Sequence, residues 1–218
     1  MLKNDKFGIR WQCTNPLTQT GFFRFTTSGT ITGHRVNLFI FLSIISAVCL
    51  ALQYPALSEL AEWNKLAIEQ GQWWRILTGN FTHTNFAHLA MNLAGLWVIC
   101  YLFKPRWISV AWLLGLVSLL VGVANLSTSM SSYVGLSGTL HGLFAYYALT
   151  EYLHGRKSSG LLVVGVIGKV WWEHTFGASI STSELIAARV AIEAHLFGML
   201  SGLAFALICL IIDKKRPV

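Results

Sequence analysis

Residues 190–212 read VAIEAHLFGMLSGLAFALICLII. A helix rises about 1.5 Å per residue, so a run of this length reaches across a hydrocarbon layer of about 30 Å. Working outward from it, comparable runs lie near 36–55, 84–103, 107–126, 135–153 and 160–178, which predicts six spans. Composition agrees with this reading. Of 218 residues 54% are hydrophobic and 11% charged, against about 25% charged in an ordinary soluble fold. Nine Trp, thirteen Phe and nineteen Gly fit a bilayer protein, because aromatics collect at the two interfaces and Gly lets helices approach closely. The chain therefore reads as an all-α membrane protein. A soluble enzyme, a secreted disulfide scaffold and a disordered tail are excluded.

The fifth run is the most polar, interrupted by Lys169, Glu173 and His174. Each charge at mid-membrane costs roughly 2.5–3.5 kcal/mol on insertion scales. Lys169 and Glu173 are four residues apart, so on a helix they can pair and reduce that cost. Charge also sets orientation. Twelve of the sixteen Lys and Arg residues fall before span one, between spans two and three, between four and five, or after six. The positive-inside rule then puts both termini in the cytoplasm, and omitting span five would send Lys214, Lys215 and Arg216 outside. The net charge of +7 is thus a topology signal, and no nucleic-acid partner is expected.

Residues 1–35 carry no early apolar run and no small-residue cleavage site, so they are expected to form a cytoplasmic tail instead of a cleaved signal peptide. The six-span body would be 36–212, followed by a basic cytoplasmic tail, 213–218. Loop 56–82 holds Trp63, Trp73 and Trp74 among charges and reads as a segment lying in the outer interface. Cys49, Cys100 and Cys209 sit in apolar runs and Cys13 in the polar tail, a spacing that suggests neither a disulfide framework nor a zinc site.

Polar side chains within spans are functional candidates by default. Three clusters qualify. THTNFAHLAMN, residues 82–92, enters span two from outside, and His88 and Asn92 share a helical face. His83 and His88 diverge by about 140° on an ideal helix, a poor geometry for a metal pair. GLSGTLHG, residues 135–142, opens span four. Glycines around Ser137 let backbone N–H groups approach a substrate, and a helix start offers unpaired donors for an oxyanion. AHLFGMLSG, residues 194–202, puts His195 one turn from Gly198 on a GxxxG packing face with Gly202.

Together these supply what acyl transfer needs: Ser137 as nucleophile, a neutral His as base, and polar donors for the tetrahedral oxyanion. No Asp or Glu is expected beside them to orient the base, so the arrangement predicted is a Ser/His dyad. Metal binding is the rival reading of the histidines. These clusters lack carboxylates, thiols and any HxxxH or HExxH spacing, so no metal and no other cofactor is expected.

The ordered set of HxxxN in span two, GxSG opening span four and AHxxGxxxG in span six resembles the rhomboid family of intramembrane serine proteases, over residues of about 36–212. The resemblance implies a six-span rhomboid-like bundle with Ser137 as nucleophile and His195 as general base. It implies His88, Asn92 and the Ser137 N–H as the oxyanion hole, and structural roles for His83, Trp74 and Arg75. One departure is His141, where the family often has a bulky aromatic packed on the catalytic His; sharing a face with Ser137, it could compete as base.

GLSGTLHG with Lys169 and Glu173 is similar to the rhombosortase branch. That likeness implies partner proteins held in the bilayer by a Gly-Gly C-terminal anchor with an apolar helix and basic tail, and a bacterial inner-membrane location. A rhomboid-like protein that binds membrane clients without cutting them is the alternative, which the joint presence of Ser137, His195, His88 and Asn92 argues against. A solute transporter is disfavoured by the lack of paired repeats.

Overall fold

The long apolar runs form helices in a computed structural model that describes residues 29–214. In chain order the elements are α1 (Gly29–Ala51), α2 (Pro55–Ala61), β1 (Trp63–Asn64), α3 (Lys65–Glu69), α4 (Arg75–Thr78) and a 3-10 turn (Gly79–Phe81). They continue with α5 (Phe86–Phe103), α6 (Trp107–Asn125), β2 (Ser132–Tyr133), α7 (Ser137–Leu153), α8 (Ser159–Phe176), α9 (Ile180–Ile186) and α10 (Ile192–Lys214). Residues 1–28 of the expected tail 1–35, and 215–218 of the basic tail 213–218, lie outside the described residues.

Among the described residues three helices, α5, α6 and α10, are long and apolar enough to cross a membrane, and α1 with α2 makes a fourth if the pair, bent by 103°, counts as one span. The other two expected spans, α7 and α8, do not stand out by these measures. With 17 residues α7 reaches only about 25 Å, and α8 carries Lys169 and Glu173. Outward faces are apolar as well: Val98, Tyr101, Leu161, Val164 and Ile211 are all exposed. A soluble bundle would turn such residues inward, whereas helices in lipid need not.

The short α7 lies in the middle, packed against α5, α6, α8 and α10, with α10 its most extensive partner. Leu143 and Ala148 of α7 meet Leu96, Val110 and Leu114 in the main core. Glycines govern the α7–α10 contact. A Cβ on Gly198 or Gly202 would run into the carbonyl oxygens of Gly138 and Gly142 respectively, so the two backbones touch along the predicted GxxxG face.

Loop 56–82 differs in part from the interfacial segment expected. Trp73 and Trp74 are exposed, but Trp63 is fully buried, and its Nε1–H donates to the Gly122 carbonyl at 2.8 Å. The loop is folded onto the bundle because β1 pairs antiparallel with β2, Trp63 opposite Tyr133 and Asn64 opposite Ser132. Arg75 is buried beneath it, donating from Nη1 to the carbonyls of Glu59 and Glu62 and from Nε to Gln72 Oε1. A guanidinium with three such acceptors holds separate turns of one loop together, and that loop in turn fixes the strand leading to Ser137.

Candidate active site

Ser137 is the first residue of α7, so its N–H and those of the next residues have no intrahelical acceptor. The approach to it is tightly specified. Gly135 has φ +118°, a conformation L side chains rarely adopt, and a Cβ there would stand 2.7 Å from the His88 ring and 3.6 Å from Asn92 Nδ2. Tyr133 donates to the Gly135 carbonyl at 2.6 Å, and the Gly135 N–H donates to the Gly79 carbonyl. A buried network below, in which Thr139 bonds Asn80 at 3.2 Å and Ser118 at 2.9 Å, ties the first turn of α7 to the 3-10 turn and α6.

Across the α7–α10 contact, His195 Nε2 lies 2.9 Å from Ser137 Oγ. Gly198 makes that distance possible, since no larger residue lets the helix bearing His195 come so close. His141, one turn after Ser137, stacks on His195 with ring centroids 4.1 Å apart and planes 18° apart. Its Nδ1 lies 2.8 Å from the Ser137 carbonyl oxygen and so donates to it. The two candidate bases are therefore distinguished by their partners: the hydroxyl faces His195, while His141 holds the serine backbone and one face of the His195 ring.

A carboxylate stands beside this pair, where none was expected. Glu173 of α8 lies with Oε2 2.8 Å from His195 Nδ1, and its Oε1 is 2.6 Å from Lys169 Nζ. The Lys169–Glu173 pair foreseen from their spacing exists, yet the same carboxylate also reaches the histidine from a helix 22 residues earlier in sequence. Sequence adjacency missed it because α8 packs against both α7 and α10.

His88 and Asn92 line the opposite side, both buried. Asn85 caps α5, its side chain accepting from the His88 N–H at 2.8 Å. Thr84 donates its one hydroxyl proton to the Ile186 carbonyl at 2.6 Å. Its 3.1 Å contact with His88 Nδ1 therefore has the imidazole as donor, and in the neutral ring Nε2 keeps the lone pair. Asn92 Nδ2 is a buried N–H donor with no protein acceptor. His83 packs edge-on against His88 at 5.0 Å. Burial, and then the neighbouring His88, pull its pKa down to about 3, so it is a neutral packing partner.

These groups open into a cavity of about 1200 Å3, bounded on one side by Lys169 and Trp172 and on another by Ile180 and Ile186 of α9. His141, Glu173 and His195 offer ligand atoms within 4.8 Å of one another, close enough in principle for a metal ion. Stacked imidazoles point their lone pairs side by side instead of at one centre, and both nitrogens of His195 already have partners. The arrangement suits proton transfer to and from Ser137 better than metal ligation.

The Rhomboid domain family model matches residues 70–212. The chain belongs to the rhomboid family. It is 26% identical over 166 residues, 69% of this chain and 73% of the relative, to a Bacillus subtilis (strain 168) protein named "Putative rhomboid protease YdcA". The matched region begins within loop 56–82 and takes in all of α5 through α9 and nearly all of α10, so every side chain described in the cavity belongs to the rhomboid domain.

Proposed function

We propose that this rhomboid is an intramembrane serine endopeptidase. The observation that carries the reading is the 2.9 Å contact between Ser137 Oγ and His195 Nε2 at a helix start. In this reading Ser137 attacks a peptide carbonyl while His195 takes its proton. The oxyanion is held by the Ser137 N–H and Asn92 Nδ2, with His88 joining when its Nε2 carries a proton. His195 then returns the proton to the leaving amine, and water resolves the acyl-enzyme.

Six spans, 36–212, form the catalytic body, flanked by cytoplasmic tails 1–35 and 213–218 in a bacterial inner membrane. Ser137 lies near the outer end of its span, so substrates are membrane-anchored proteins cut at the outer edge of their anchor helix. The GLSGTLHG run with Lys169 and Glu173 supports a rhombosortase, acting on proteins with Gly-Gly C-terminal anchors. Glycines disfavour helix by about 1 kcal/mol each, so such a site unwinds readily into a cleft.

The test is labelling of the purified protein by a serine-reactive fluorophosphonate, with release of an exported reporter fused to a Gly-Gly anchor as the turnover assay. Wild-type labelling and release, both lost in Ser137→Ala while the protein still accumulates, are the expected results. Undiminished release by Ser137→Ala sinks the protease reading.

A further inference from the structure

We propose that Glu173 is a positioning residue that completes a Ser137–His195–Glu173 triad, with Lys169 fixing the carboxylate. The inference rests on the protease reading and adds to it a third helix and a defined proton on the base.

A neutral imidazole has one lone pair, and general-base action on Ser137 requires it at Nε2. An ionised carboxylate only accepts, so Glu173 Oε2 at 2.8 Å from Nδ1 selects the tautomer with the proton on Nδ1 and leaves Nε2 free for the serine. Once His195 takes the serine proton it becomes a cation, and the carboxylate beside it stabilises that charge in a poorly solvated setting. The His195 side chain is 5% exposed and that of Glu173 12%, so little water competes for either.

Glu173 is itself held at both oxygens. Lys169 Nζ takes Oε1 at 2.6 Å, and His195 takes Oε2. His195 is thus gripped on its edge by α8, on its face by His141 of α7, and at Nε2 by Ser137. The charged and titratable groups around the ring are Glu173 and Lys169 from α8, His141 from α7 and His88 from α5. Only Glu173 among them is an anion.

A purely structural role, neutralising Lys169 inside the bundle, makes a different forecast. In Glu173→Gln the Lys169 ammonium, a donor only, claims the amide oxygen and turns the NH2 toward His195. That stabilises the opposite tautomer, with a proton pointing at the serine. The expected result is a fall in kcat of about 10³- to 10⁴-fold with KM nearly unchanged, and a matching fall in the rate of fluorophosphonate labelling. Melting temperature in detergent should stay near wild type.

A second variant, Lys169→Met with Glu173→Met, replaces the ion pair by apolar side chains of similar length, a change that generally preserves folding. If Glu173 only balances Lys169, this double variant regains full turnover. If Glu173 orients His195, it remains at least 10²-fold down in kcat. Wild-type-like turnover by either variant, in an enzyme whose Ser137→Ala form is dead, overturns the triad and leaves the protease reading standing. A wild-type protein that neither labels nor cuts removes both.

Discussion

Gly198 of α10 rests directly on the backbone carbonyl of Gly138 in α7, and one turn on Gly202 rests on that of Gly142. The same contact that seals the two helices sets how far His195 stands from Ser137. Gly198→Ala should therefore force the helices apart, at a cost of about 1–3 kcal/mol for overpacking. Both the melting temperature in detergent and the fluorophosphonate labelling rate should fall. Gly165→Ala and Gly168→Ala on α8 are the controls: a Cβ there meets nothing within 4 Å, so neither should lower either quantity. A Gly198→Ala protein with normal stability and reactivity would mean the backbones do not touch.

The second prediction separates the two histidines around Ser137. His195→Ala removes the proposed base and should lower kcat to the level of Ser137→Ala. His141→Phe keeps a ring against His195 but loses the donor to the Ser137 carbonyl, so it should retain activity within about tenfold, one hydrogen bond being worth roughly 1 kcal/mol. Turnover measured on the anchored reporter distinguishes them. The reverse order of losses would make His141 the base.

A third prediction concerns the oxyanion side. Asn92 Nδ2 is buried without a protein acceptor beside Gly135, as a donor reserved for a transition state would be. Removing one such donor costs roughly 2.7–4 kcal/mol, so Asn92→Ala should lower kcat by about 10²- to 10³-fold and leave KM nearly unchanged. His88→Ala should also lose kcat, and because His88 packs against Gly135 and His83 it should lose some thermal stability too. If both variants lose stability in proportion to activity, the two residues are packing groups.

Much of this architecture was legible because lipid imposes strong rules. Apolar runs of bridging length gave six helix positions within a few residues of those observed, apart from an earlier start for α1. A polar side chain within such a run is conspicuous, and Ser137, His195, His88 and Asn92 all stand out on that ground. Gly198 and Gly202 were readable as a packing face from their spacing alone. Two features were not legible, and for one reason. Trp63 and Glu173 each take their role from a partner distant in sequence, Trp63 from the Gly122 carbonyl and Glu173 from His195. Glu173 already had a local explanation in Lys169, and a satisfied carboxylate gives no sign that its second oxygen is engaged elsewhere. The cost of a carboxylate inside a span was the available signal.

The last prediction tests what is cut. In the rhombosortase reading the partner's body is exported, its basic tail stays inside, and cleavage near Gly-Gly frees the body on the outer side. An attacked peptide must lie extended beside Ser137, and two glycines at a helix boundary favour that by about 2 kcal/mol relative to good helix formers. Replacing both with Leu should carry the helix through the scissile bond and slow release by about 30-fold, the rate equivalent of that energy. Mass spectrometry of the released reporter should find its new C-terminus at or beside the glycines. Termini elsewhere, or undiminished release of the Leu variant, would leave a rhomboid protease whose substrates are chosen by features other than the Gly-Gly pair.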